Sequence, residues 1–199
     1  MLDLTALNFD YDFKPLLEGV QFSLPAGQLL HLRGANGSGK STLLKLLAGL
    51  IQPISGEIHY NGQNIQKNLN DYQRKLCYIG HKAGVNPLLT VKENCYFDLH
   101  WGRRLLTLES LLEGFGLQGL SDEPCHLLSA GQKHRVSLLR IAMTDAKLLL
   151  LDEPLVALDA ESIKTLLIYL ENHLELGGQV VLTSHQNLPL RKTYQEYFL

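Results

Sequence analysis

Apolar and polar positions alternate near the start of the chain, in LTALNFDY, GVQFSLPAG and QLLHLRG, which predicts three strands. Pro25, Ala26 and Gly27 mark the turn between the last two. The period then changes. After a glycine-rich stretch, Leu43, Leu44, Leu46, Leu47 and Leu50 recur as one face of a helix, with Gly49 near its end. PISGEIHYNG reads as a turn, a strand and a second turn at Asn61–Gly62. LCYIG reads as a short strand that leads to His81. From Leu88 to about Leu127 the pattern is helical, broken by Gly102, Gly114, Gly116 and Gly119. A further helix opens near Ser129. In KLLLLDEP the run of leucines between polar ends suits a strand buried on both faces. A helix over 160–176 stops at Gly177-Gly178, and QVVLTSH gives one more buried strand. Strands alternating with helices predict an α/β fold with a parallel sheet, in which the helical middle is an insertion. Neither an internal repeat nor a low-complexity segment interrupts it.

Composition narrows the function classes. The chain has 199 residues, 45% hydrophobic and 19% charged, enough for one substantial core. A formal net charge of -2, without a block of like charge, gives no electrostatic argument for nucleic acid, and none is expected as a partner. Cys77, Cys95 and Cys125 are scattered and form no CxxC pair, so neither a zinc site nor a disulfide framework is expected. Reduced thiols in a cytosolic compartment fit best. The N-terminal MLDLTALNFDYDF has no basic flank and does not read as a signal peptide. Its apolar runs are too short to cross a bilayer, so a membrane role must come through a partner.

The chemistry begins at GANGSGKS, which fits G-x-x-x-x-G-K-[ST] between a predicted strand and a predicted helix. Gly34, Gly37 and Gly39 let the backbone wrap closely, so that N–H groups of the loop, Ala35, Asn36 and Ser38 included, point at phosphate oxygens. Lys40 brings a positive charge to the β- and γ-phosphates, and Ser41 offers a hydroxyl to Mg²⁺, with Thr42 in the first helical turn. The helix adds the positive end of its dipole. LLLLDE supplies the complementary acids: Asp152 to hold Mg²⁺ through water, Glu153 to orient or deprotonate an attacking water.

Between these motifs lies LSAGQ, Leu128–Gln132, followed by KHRVSLLRIAM. Here the chain resembles the ATP-binding-cassette ATPases, whose signature usually reads LSGGQ; Ala130 replaces a glycine. The resemblance covers nearly the whole chain. VALD, ending in Asp159, resembles the family's D-loop, and His185 resembles its switch histidine that touches the γ-phosphate. Asp159 is equally placed to cap the following helix. Tyr11 falls where the family often stacks an aromatic ring on adenine; Phe9 and Phe13 compete for that role. The resemblance implies a P-loop NTPase fold, an ABC nucleotide-binding domain with a mostly parallel core sheet, an antiparallel β subdomain and an inserted helical subdomain. It places one domain over 1–199, with 1–87 and 128–199 as the catalytic core and 88–127 as the helical subdomain. It also implies ATP and Mg²⁺ as ligands and a head-to-tail homodimer. In that dimer Ser129, Ala130, Gly131 and Gln132 of one chain face the nucleotide on the P-loop of the other.

Where most of these ATPases carry a glutamine, between core and helical piece, this chain has His81. The run YIGHKAG, with GANGSGK, LSAGQ and TSHQ, resembles the ATP-binding subunits of bacterial cytochrome c maturation systems. That resemblance implies a peripheral protein on the cytoplasmic face of the inner membrane, working with integral membrane subunits B, C and D in haem export or in release of a haem-loaded chaperone. A neutral His81 would then sense Mg²⁺-bound water or γ-phosphate in place of the glutamine; the plainer alternative is a polar loop residue. Unlike an amide, an imidazole titrates near neutrality. The competing functions are an ATPase serving another transported substrate and a soluble ATPase of the same fold. Repair-type relatives need a long heptad-rich insertion, which is absent here, and translation-type relatives usually carry two cassettes. His31, His59, His100, His126, His134 and His173 show no ligand spacing and read as surface or packing residues.

Overall fold

The computed structural model describes residues 1–12, 14–98 and 107–199. Phe13, Gly102 and His100 lie outside the described residues. Two sheets organise the chain. The first is antiparallel, in the order β2-β1-β4-β5, from β1 (Leu2–Tyr11), β2 (Lys14–Leu24), β4 (Ser55–Tyr60) and β5 (Gln63–Asn64). The second is parallel throughout, in the order β6-β7-β8-β3-β9. Its strands are β3 (Leu29–Arg33), β6 (Leu76–Ile79), β7 (Leu148–Asp152), β8 (Gln179–Thr183) and β9 (Gln195–Phe198).

The leucine run behaves as its composition predicts. Along β7, Leu149 and Leu151 enter one hydrophobic cluster, while Leu148 and Leu150 enter the other. Side chains on a strand alternate between faces, so a strand apolar at every position must be covered on both sides. One side is covered by α1 (Lys40–Leu47), whose Leu43, Leu44, Leu46 and Leu47 are all fully buried, together with the antiparallel sheet. The other side is covered by α5 (Ala130–Met143) and α6 (Ala160–Glu175). The helical piece, α3 (Val91–Asp98) and α4 (Leu108–Gly114), joins that second cluster through Val91, Cys95, Leu111 and Leu112. A further helix, α2 (Leu69–Gln73), is a turn and a half long and precedes β6.

Turn chemistry holds where the sequence asks for it. Asn61 and Gly62 both have positive φ, 52° and 77°, and join β4 to β5 as a two-residue hairpin with Tyr60 opposite Gln63. Several elements differ from the sequence-based expectation, the short α2 among them. β2 starts at Lys14, earlier than the alternation from Gly19 suggests. β9 has no strong hydrophobic pattern, yet it closes the edge of the parallel sheet beside β3. Its anchors are the Arg33–Glu196 ion pair at 2.8 Å and the Arg33 guanidinium over the Phe198 ring at 5.7 Å. Among the described residues no helix is long and apolar enough to cross a membrane.

Phe115, fully buried after α4, stacks on Tyr169 of α6 with ring planes 10° apart. Among the described residues it is the largest fully buried side chain. Phe115→Ala is expected to cost about 3–5 kcal/mol in urea unfolding, with Phe115→Leu costing much less. A loss below about 1 kcal/mol for the alanine variant would mean that the helical piece does not depend on this contact.

Candidate functional site

In a parallel sheet all strand C-termini lie at one edge, and ligands of open α/β sheets bind there. Four strands deliver the predicted residues to that edge. β3 runs into the glycine loop, β6 into His81, β7 into Asp152 and Glu153, and β8 into Ser184 and His185. A cleft of about 540 Å³ is lined there by Asn36, Gly37, Gly39, Lys40, Ser41 and Thr42 from the loop and α1. His81, Asp152, Glu153 and His185 line it too, with Leu16 and Val156 as apolar walls.

The loop is shaped by glycines at positive φ, where a side chain would be strained. Gly34 has φ 148°, and a Cβ there would lie 2.6 Å from Ser38 Oγ. Gly39, at φ 99°, is the N-cap of α1, and a Cβ there would lie 2.7 Å from Leu17 Cδ2. As a glycine it offers no side-chain cap, so the orphan N–H groups of the first helical turn are left for a ligand. Lys40 is 9% exposed, and its Nζ donates to the carbonyls of Gly34 (2.9 Å) and Ala35 (3.0 Å). The cation is thereby held inside the ring that its own loop makes.

The acids are placed just as tightly. The Thr183 hydroxyl donates to Asp152 Oδ1 at 2.9 Å and accepts from the Glu153 N–H at 2.8 Å. Glu153 itself is left-handed, φ 53°, directly before Pro154. A non-glycine residue there is strained by about 1–3 kcal/mol, and such strain concentrates at functional sites. Glu153 Oε1 is buried without a hydrogen-bond partner, and His185 Nε2 stands 3.6 Å away. Among the described residues no cluster of His, Cys, Asp and Glu could hold a metal by itself. Ser41 and Asp152 offer oxygen ligands only, the donor type of a hard cation that takes its other ligands from phosphate and water.

The remaining predicted residues lie elsewhere. Tyr11 is 49% exposed, packs edge-on against Phe9 at 4.9 Å, and is not among the lining residues. Ser129 and Gln132 form a capping box on α5: Ser129 N–H donates to Gln132 Oε1 at 2.8 Å, and Gln132 N–H to Ser129 Oγ at 3.2 Å. Ala130 is exposed, and a Cβ on Gly131 would meet the carbonyl of Ala157 at 3.6 Å. These residues do not line the cleft of their own chain. Asp159 caps α6 by accepting from Ser162 N–H at 2.8 Å, and these bonds hold its carboxyl below the usual range.

Three side chains that the sequence gave no reason to single out tie α5 to this site. His134 Nε2 bonds the Pro154 carbonyl at 3.2 Å, next to Glu153. Arg135 reaches the carbonyls of Phe115 and Gly116 and pairs with Asp159 at 3.5 Å. Arg140 donates to the Gly84 carbonyl at 3.1 Å, beyond His81. Thr183 is the other omission; a hydroxyl ending a buried strand, two residues before a histidine, was the available signal.

Fold and cleft together define a P-loop nucleotide-hydrolase arrangement. Residues 17–156 match the family model described as ABC transporter, and the chain belongs to that family. It is 53% identical over 200 residues to a cytochrome c biogenesis ATP-binding export protein CcmA of Legionella pneumophila (strain Lens), an alignment covering all of both chains. It is 42% identical to the protein of that name from Pseudomonas putida (strain KT2440), over 94% of this chain and 90% of that one. Among solved structures, an ABC transporter ATP-binding protein from Pyrococcus furiosus superposes with a TM-score of 0.82 at 27% identity, over 100% of this chain and 96% of that one.

Burial holds the His134 ring below its usual value of 6.5, and His81 nearby pushes in the same direction. The His173 ring, partly buried behind Gly178, is lowered by the same cause. Both are therefore neutral in the fold at pH values where the unfolded chain binds protons. Their contribution to stability is present above about pH 6.5 and declines as pH falls below it. His134→Gln, which keeps an amide donor for Pro154, is expected to flatten that acid-side decline. Urea midpoints between about pH 7.5 and pH 5.5 measure it; an unchanged slope would rule out His134 as a source.

Proposed function

We propose that the chain is the ATP-hydrolysing subunit of an export complex of cytochrome c biogenesis. The observation that carries the reading is the meeting, in one cleft, of a caged lysine, a glycine loop and a strained Glu153 whose buried oxygen has no partner. In this reading the loop N–H groups and Lys40 hold the β- and γ-phosphates. Ser41 and Asp152 would hold Mg²⁺, which would supply charge neutralisation for the phosphates. Glu153 Oε1 receives a proton from water as the water oxygen bonds to the γ-phosphorus. The bond from that phosphorus to the bridging oxygen of ADP breaks. His185 contacts the γ-phosphate, and His81, in the place of a glutamine, reports its presence to the segment after β6. Tyr11 stacks on adenine outside the walls of the cleft.

The position of Ser129, Ala130, Gly131 and Gln132, away from the cleft of their own chain, supports a head-to-tail homodimer. There they would face the nucleotide of the partner, with Asp159 near the seam. Each site is then incomplete until two chains close on ATP. The names of the relatives support the assignment to cytochrome c biogenesis and export. The partners in this reading are integral membrane subunits B, C and D, and the chain sits peripherally on the cytoplasmic face of the inner membrane. Haem, or the haem-loaded chaperone whose release is powered, is the cargo.

Glu153→Gln is expected to lower ATP turnover by about 10²–10⁴-fold with little change in ATP affinity. Turnover within twofold of wild type would remove Glu153 from the mechanism. Affinity capture of the full chain from membranes tests the physiological assignment. Recovery of the cytochrome c maturation membrane subunits is expected, whereas recovery of an unrelated permease would overturn the cargo and leave the ATPase standing.

A further inference from the structure

His31 is a fully buried histidine on β3, flanked by Leu29, Leu30 and Leu32, which are buried as well. A polar ring at such a position is costly unless it is hydrogen-bonded. Its partner is specific. Nε2 lies 3.0 Å from the Ser184 carbonyl, an acceptor that fixes the proton on Nε2. The last paired residues of the β3–β8 ladder are Leu32 and Thr183. Ser184 is therefore the first residue past the ladder, 5% exposed. His31 supplies the hydrogen bond that the sheet no longer provides there. The other ring nitrogen, Nδ1, has no hydrogen-bond partner; Glu196 Oε1 stands 3.7 Å away, held by Arg33, and the Tyr194 ring lies edge-on at 6.0 Å.

The exit of β8 is thus gripped from both neighbouring strands. From β7, Asp152 and the Glu153 N–H hold the Thr183 hydroxyl. From β3, His31 holds the Ser184 carbonyl. His185 is the next residue, and three residues along β3 from His31 the phosphate loop begins at Gly34. We infer that His31 is a positioning residue that fixes where His185 stands relative to the phosphate loop. The inference rests on the reading of His185 as the γ-phosphate contact. Because the ring is fully buried and does not line the cleft, its loss acts on turnover and spares ATP binding.

The test is a double-mutant cycle on the full chain in the membrane assembly it copurifies with, reading kcat and the KM for ATP. A single hydrogen bond of ordinary strength corresponds to about a tenfold effect on a rate. His31→Leu is expected to lower kcat about tenfold with KM within about twofold, and His31→Gln, which keeps a donor of similar reach, to restore most of kcat. In a His185→Ala background, His31→Leu should add no further loss. If His31→Leu fails to fold, the comparison of His31→Gln with the shorter His31→Asn decides: glutamine must retain kcat where asparagine does not. Wild-type kcat in His31→Leu, equal losses for glutamine and asparagine, or additive losses in the double variant would each overturn the inference. Where His185→Ala lowers turnover and His31→Leu does not, this inference alone fails. Where His185→Ala itself turns over normally, the reading beneath it fails as well.

Discussion

A strand buried on both faces has no side chain to spare for chemistry. β7 shows the constraint in full: Leu148 to Leu151 divide between two hydrophobic clusters, and only the end of the strand is left. Parallel pairing turns this limit into a site. Because β3, β6, β7 and β8 run the same way, their ends open on one edge, and residues far apart in sequence arrive together. The same geometry explains why Glu153 bears strain. The chain must leave the sheet sharply after Asp152, and the Thr183 hydroxyl holds the backbone N–H of the turned residue in place.

Much of this was legible in the sequence because it is local. The glycine loop, the acid pair after the leucines and the histidine after VVLTS each sit within a few residues of a hydrophobic run that identifies its strand. The elements that were missed are those without a local signal. β9 is a strand only because β3 offers it an edge and Arg33 offers Glu196 and Phe198 a partner. α2 is too short for periodicity to appear. His31, His134 and Thr183 look ordinary along the chain; their roles depend on which carbonyl, hydroxyl or carboxylate the fold brings near. The parallel order itself followed from strand–helix alternation, whereas the sequence of strands across the sheet did not.

Helix α5 links regions that the motifs describe separately. Its capped first turn carries the signature residues, while His134, Arg135 and Arg140 bond to carbonyls beside Glu153, in the helical piece and beyond His81. Over the roughly 16 Å from Ser129 to Arg140, a tilt of about 4° moves the capped end by about 1 Å. A rigid helix fastened at several points thus couples the backbone beside Glu153 to the turn capped by Ser129 and Gln132.

The caged ammonium of Lys40 has a kinetic consequence. Its water shell has already been traded for two loop carbonyls, so the work of dehydrating a cation is done when the protein folds rather than when an anion arrives. In the proposed site an incoming phosphate would exchange one oxygen partner for another, and a departing one would leave the ammonium to its loop carbonyls. The desolvation barrier is thereby moved out of the turnover cycle, which suits a site that must fill and empty repeatedly.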